Sequence, residues 1–163
     1  MALGSEHDKV IKILSIPFGL LMSLIFANVG LGVTSSIAFL LGGLFLSPDL
    51  DTYSKPLKRW GILKVLWGPY RKLIPHRSFL SHSPFLGTAL KVIYIIVIYL
   101  LLGILFSLFN NEPILLSFNL IEQLIKTFPE TILVIIIGLE GSVWIHLIQD
   151  WDPIPKKWLR IRK

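Results

Sequence analysis

The sequence predicts an all-α protein: a polytopic membrane helical bundle of about four transmembrane or re-entrant helices, with interfacial helices beside them. Three observations predict it. Of 163 residues, 53% are hydrophobic and the mean hydropathy is +0.71, a composition that suits a small membrane protein better than a soluble domain. From Ile13 to Pro48 there are 36 residues without a charge. Lysine and arginine gather in a few segments instead of covering a surface. Residues 1–163 read as a single membrane-embedded domain.

Taken in order, the start MALGSEHDKVIKIL has acidic residues among its first charges and no small-residue cleavage site ahead of the apolar run, so it is expected to stay in place and not to be removed as a signal peptide. At about 1.5 Å per helical residue, the uncharged run of 36 is too long for one crossing of a core about 30 Å thick. It must reverse. The predicted turn is Asn28-Val29-Gly30-Leu31-Gly32, since Asn and Gly accept tight-turn backbone angles, giving helices over 10–28 and 33–47.

The loop 49–83 is polar and basic, carrying Lys55, Lys58, Arg59, Lys64, Arg71, Lys72 and Arg77 with Trp60, Trp67 and Tyr70 interleaved, a mixture expected at a membrane interface. Val92 to Asn111 supplies 20 uncharged residues, including IYIIVIYLLLGILF, and is the clearest span. Lys91 at its start is expected to snorkel outward. Ile114, Phe118, Ile121, Ile125 and Phe128 recur at helical spacing beside an i,i+4 Glu122–Lys126 pair, which predicts an interfacial helix. Thr131 to Gln149 is the last span, interrupted by Glu140 and His146.

This threading brings the N-terminus, the loop 49–83 and the basic tail 151–163 to one side, with fourteen of the sixteen Lys and Arg. The positive-inside bias makes that side cytoplasmic, in a bacterial inner or thylakoid membrane with lipids as partners. The same bias accounts for the net charge of +6, so no nucleic-acid partner is expected. No cysteine is present, which excludes disulfides and thiolate metal sites.

All four histidines, His7, His76, His82 and His146, fall on that side, as do Asp49, Asp51, Asp150 and Asp152. Four stretches, EHD, SPDLD, HRSFLSHS and HLIQD, deliver imidazoles and carboxylates to one layer. In an extended segment Asp49 and Asp51 would point the same way as a chelating pair; in a helix capped by Ser47 with Pro48 at its first position they would diverge. His146 and Asp150, spaced i,i+4, share a helix face and suit a common ion or a mutual hydrogen bond. His76 and His82 act together only if their loop bends, which Ser78, Ser81 and Ser83 permit. His7, taken alone, reads as an exposed terminal histidine. Glu140 is six residues from His146 on another face, and a structural pairing with Lys91 fits it better than the same site. The joint pattern predicts a metal centre. A His and Asp set without thiolates suits a divalent transition metal, zinc first and manganese or iron next, as one or two ions.

SPDLD, HRSFLSHS and HLIQDW, with EHD ahead of the first span and KRWG and PYRKLI between, resemble a bacterial family of membrane metal-binding proteins common in cyanobacteria, over nearly the whole chain. That family looks related to the inner-membrane metal-dependent hydrolases known as LexA-binding. The resemblance implies metal binding by His7, Asp49, Asp51, His76, His82, His146 and Asp150, and hydrolase activity.

Two function classes follow. In the first, a metal ion activates water against an ester or phosphoester of an amphiphilic substrate at the cytoplasmic interface. Asp51, if left unligated, is the general base, and Arg77 with Lys72 neutralises developing phosphate charge. In the second, a structural metal ties chain segments together in a non-enzymatic scaffold or assembly factor whose basic face binds a partner or anionic lipid. A transporter is disfavoured, because the polar groups collect at one face and form no path across.

Overall fold

Helix α1 (Gly4–Ile25) runs into a three-residue reversal and returns as α2 (Val29–Phe45). The computed structural model describes residues 4–76, 78–110 and 115–150, and these contain helices and loops with no strand. The reversal lies over Phe26, Ala27 and Asn28, ahead of the position predicted from the glycines. Ala27 takes a left-handed φ of 48°, and the Asn28 side chain caps α2 by accepting from the Leu31 amide at 3.2 Å. Gly30 and Gly32 sit inside α2. Gly32 is needed for proximity and not for turning: a Cβ there would meet Ser23 Oγ at 1.7 Å and the Gly19 carbonyl oxygen at 2.5 Å.

The same device joins α2 to α8 (Pro129–Gln149). A Cβ on Gly138 would lie 2.5 Å from the Ser35 carbonyl oxygen and 2.9 Å from the Ala38 Cβ, and one on Gly42 would lie 2.5 Å from Ser142 Oγ. Two hydroxyls cross the seams: Ser35 Oγ donates to the Val134 carbonyl at 3.0 Å, and Ser36 Oγ to the Ser15 carbonyl at 2.7 Å. Residue numbers rise together along α2 and α8, so these helices are parallel, while α1 is antiparallel to α2. The starts of α1 and the ends of α2 and α8 therefore lie at one end of the bundle.

Between α2 and α6 (Leu86–Asn110) the chain builds a lid of short helices at that end: a 3-10 turn Pro48–Asp51, α3 (Lys55–Arg59), a 3-10 segment Gly61–Trp67, α4 (Gly68–Leu73) and α5 (Phe79–His82). This region has its own apolar core of Leu50, Leu57, Trp67, Tyr70 and Ile74, with Leu90 and Tyr94 of α6 against it. Trp67 and Tyr70 are therefore buried, not spread at an interface as their mixture with basic residues predicts. Trp60 Nε1 donates to the Phe45 carbonyl at 3.0 Å, and Arg59 ties the lid to both helices, through the Leu44 carbonyl at 2.8 Å and the Asp8 carboxylate. Helix α7 (Leu115–Thr127) follows α6 and carries the expected Glu122–Lys126 pair.

Three described helical segments are long and apolar enough to cross a membrane: Val29–Asp51, Leu86–Phe109 and Pro129–Gln149. The expectation of about four is corrected here. Helix α1 is not among them, because Asp8, Lys9 and Lys12 leave only its second half uncharged.

Candidate metal centre

Four chain segments converge at the lidded end of the bundle. The first turns of α1 supply His7, the 3-10 turn after α2 supplies Asp49 and Asp51, the turn ahead of α5 supplies His76, the last residue of α5 is His82, and the last turn of α8 supplies His146 with Asp150 as its C-cap.

The geometry of the aspartates follows from Ser47 and Pro48. Ser47 caps the 3-10 turn, its Oγ accepting from the Asp49 amide at 3.4 Å, and Pro48 takes the first position. The extended chelating pair is therefore not formed. At three residues per turn, positions two apart diverge by about 120°, and the two carboxylates take different partners. Asp49 faces His82 Nε2 and His146 Nε2, each at 3.7 Å. Asp51, its side chain wholly buried, accepts from His76 Nδ1 at 2.9 Å and lies 3.6 Å from His82 Nδ1. The ring of His82 thus stands between the two aspartates.

His7 is buried at 7% exposure, stacks on His146 with ring centroids 4.3 Å apart, and meets Asp150 at 3.3 Å. The expectation of an exposed terminal histidine gives way because α1 begins early enough to carry it into the cluster. His146 Nε2 is 3.8 Å from Asp150, its i,i+4 neighbour. Two sets of three groups have donor atoms within 4.8 Å of one another: His7, His146 and Asp150, and Asp49, His82 and His146. They share His146. Among the described residues, Asp51 and His76 border these sets without joining either. His76, whose side chain is 48% exposed, is the most open of the four imidazoles. Arg77 lies outside the described residues.

The donor set fits a cation on its own chemistry. His82 Nε2 and His146 Nε2 are buried and make no hydrogen bond, while the opposite nitrogen of each ring lies beside a hydroxyl: His82 Nδ1 at 2.8 Å from Ser81 Oγ, His146 Nδ1 at 3.4 Å from Ser47 Oγ. A free nitrogen facing a carboxylate with the other nitrogen held behind is the arrangement of a metal-binding histidine. A tetrahedral ion with bonds of about 2.0–2.2 Å holds its ligand atoms about 3.3–3.6 Å apart, close to the 3.7 Å separating Asp49 from both imidazoles. Without a cation, those buried nitrogens would carry the cost of lost hydration.

Several residues near the centre have roles the sequence did not disclose. Ser47 and Ser81 look like ordinary capping and turn residues, yet each touches an imidazole. Tyr70 Oη is buried without a hydrogen-bond partner, and burial, with the Asp51 charge adding to it, pushes its phenol above the ordinary range. Lys91 does not snorkel: it is 1% exposed and its Nζ has no hydrogen-bond partner. Glu140 is engaged elsewhere, accepting from the Phe85 amide at 2.8 Å and from Thr88 Oγ1 at 2.6 Å. It thereby braces Phe85, whose φ of 60° is left-handed.

No solved structure matches this chain. An uncharacterized protein of Aquifex aeolicus (strain VF5) is 52% identical over 60 residues, covering 36% of this chain and 42% of that protein. The chain thus spans about two fifths of the length of this curated relative. A family model matches residues 2–161, nearly the whole of the sequence in which the imidazoles and carboxylates above are found, and the chain belongs to that family, described as uncharacterized metal-binding protein (DUF2227).

Proposed function

We propose that this chain is a membrane-embedded, metal-dependent hydrolase acting on an ester or phosphoester of an amphiphilic substrate at the cytoplasmic interface. One observation carries the reading. Beside the candidate ligands stands a His–Asp pair outside both ligand sets: half-exposed His76, with Nδ1 at 2.9 Å from the buried Asp51 carboxylate. A closed structural metal site has no need of such a pair.

Asp51 holds the tautomer that carries the proton on Nδ1, leaving Nε2 of His76 as a proton acceptor. Asp51 then orients the base, where the sequence had suggested it as the base itself. A bound divalent ion, zinc first and manganese or iron next, supplies Lewis-acid polarisation and a lowered water pKa. His7, Asp49, His82, His146 and Asp150 would hold one or two ions. Lys72 and Arg77 are the cations for a phosphate group. The three apolar segments support membrane embedding, and the charge bias supports a cytoplasmic site.

A scaffold with a structural metal has one observation in its favour. The 3-10 segment Gly61–Trp67 exposes Ile62, Leu63 and Val65 around Lys64, a surface suited to a partner or an anionic lipid layer.

Protein purified without chelators separates the two. The hydrolase reading predicts near-stoichiometric transition metal in the wild type, its loss in His146→Ala, and retained metal but lost turnover of a phosphoester and lipid ester panel in His76→Ala. Equal turnover by wild type and His76→Ala across that panel would favour the scaffold.

A further inference from the structure

Lys91 is the buried cation that the reading above leaves without a task. It lies in the second turn of α6, 1% exposed, with no hydrogen-bond partner for Nζ. Lys91 lines a void of about 10 Å³ together with Gly42, Leu46, Thr88, Leu139 and Val143. That is room for about one water and not for a substrate group. Yet Lys91 shares the wall of that void with Thr88, whose hydroxyl donates to Glu140, and the adjoining Leu90 packs on the core that holds Leu50, the residue between Asp49 and Asp51, so the negative charges acting on the ammonium are those of Asp51, Glu140 and Asp49. Glu140 already receives the Phe85 amide and the Thr88 hydroxyl, so its carboxylate is held in place while Lys91 remains free of a dedicated hydrogen bond.

We infer that Lys91 is an internal counter-cation of the metal centre: a fixed positive charge behind the ligand carboxylates that sets how tightly they hold a divalent ion. The centre gathers Asp49, Asp51 and Asp150 at one end of the bundle, with Glu140 about two turns away along α8. Such an excess of negative charge in a low-dielectric site is costly without a cation. A lysine that takes no coordination position offsets part of that charge whether or not an ion is bound. The same charge repels an entering divalent ion, so it lowers affinity as it stabilises the metal-free fold. This inference rests on the metal-binding reading.

The test is zinc and manganese titration of the detergent-purified full chain by equilibrium dialysis at pH 7, for wild type, Lys91→Met, Glu140→Gln and the double variant. Removing the positive charge should tighten binding about tenfold or more, and removing the negative charge should weaken it, since unit charges on neighbouring side chains act strongly on a divalent ion where water is scarce. The double variant, which restores the net charge, should return towards wild type. Wild type that binds neither metal overturns the metal reading and this inference with it. Wild type that binds, with Lys91→Met unchanged or weaker, overturns the role of Lys91 alone. Should Lys91→Met fail to fold, Glu140→Gln carries the test, and unaltered affinity there overturns the inference.

Discussion

Helices α6 and α8 both have the length and apolarity of a membrane span, yet they are built on opposite plans. In the most apolar 18 residues of Pro129–Gln149, 39% are buried within the protein, and in those of Val29–Asp51 33%; in those of Leu86–Phe109, the most apolar of the three, none are, the buried Gly87, Thr88 and Lys91 lying in its first two turns. The seams of α8 and α2 are lined by Gly42, Gly138, Ser35, Ala38 and Ser142, small residues that let backbones touch and hydroxyls reach across. Helix α6 instead presents Leu101, Leu102, Leu105, Phe106, Leu108 and Phe109 outward. In a bilayer, apolar bulk brings no drive for helices to associate, whereas close contact and hydrogen bonds do. The hydropathy peak therefore marks the helix with the exposed apolar face, and the candidate metal centre stands on the helices whose sequence is interrupted by small and polar residues.

The contrast can be broken most severely at its tightest point. Gly138→Leu would drive a side chain into the Ser35 carbonyl and the Phe39 amide, backbone atoms that cannot step aside, and is expected to cost about 3 kcal/mol or more. Leu102→Ala, on the exposed side of α6, should change stability by about 0.5 kcal/mol or less. Thermal unfolding of both variants in one detergent checks the difference; equal losses would mean that α6 is packed after all.

A smaller effect is expected where the lid is tied to the bundle. Arg59→Ala removes bonds to the Leu44 carbonyl and the Asp8 carboxylate, and should cost about 1–3 kcal/mol. Faster amide exchange over residues 55–73 than over α2 would show that the lid loosens first. The smallest change belongs to the distal pair. Lys126→Ala breaks a solvent-exposed i,i+4 contact with Glu122 and should shift stability by about 0.5 kcal/mol or less, with metal content unaltered.

Much of this architecture is legible in the sequence because charge and length constrain long apolar helices so strongly. The uncharged run had to reverse, and it does, although Gly32, one of the glycines that suggested where, serves helix contact instead, and the turn falls on Ala27 and Asn28. The helix count was less legible. Asp8, Lys9 and Lys12 sit inside α1, so its register with α2 continues well beyond its apolar part. The lid was read as a polar surface because basic residues dominate its composition. Spacing along 49–83 has no single period from which the burial of Leu50, Leu57, Trp67 and Tyr70 could be read, since that core is made between short helices.

At the centre, the convergence of EHD, SPDLD, HRSFLSHS and HLIQD was visible as residue types at matching depths. What each group does was not. The division of labour between Asp49, facing two free imidazole nitrogens, and Asp51, holding His76, depends on the 3-10 turn set by Ser47 and Pro48. The serines behind His82 and His146 are contacts across sequence distance or within a single tight turn, which composition cannot order.

The central claim is that the free nitrogens of His82 and His146 and the carboxylate of Asp49 converge on one cation. Anomalous diffraction above and below the zinc edge, from crystals of the protein purified with zinc, tests this most directly. A peak that vanishes below the edge, lying between Asp49, His82 Nε2 and His146 Nε2, with or without a second beside His7 and Asp150, is the predicted result. Zinc at other residues only, or none at this position with the metal present in solution, would contradict it.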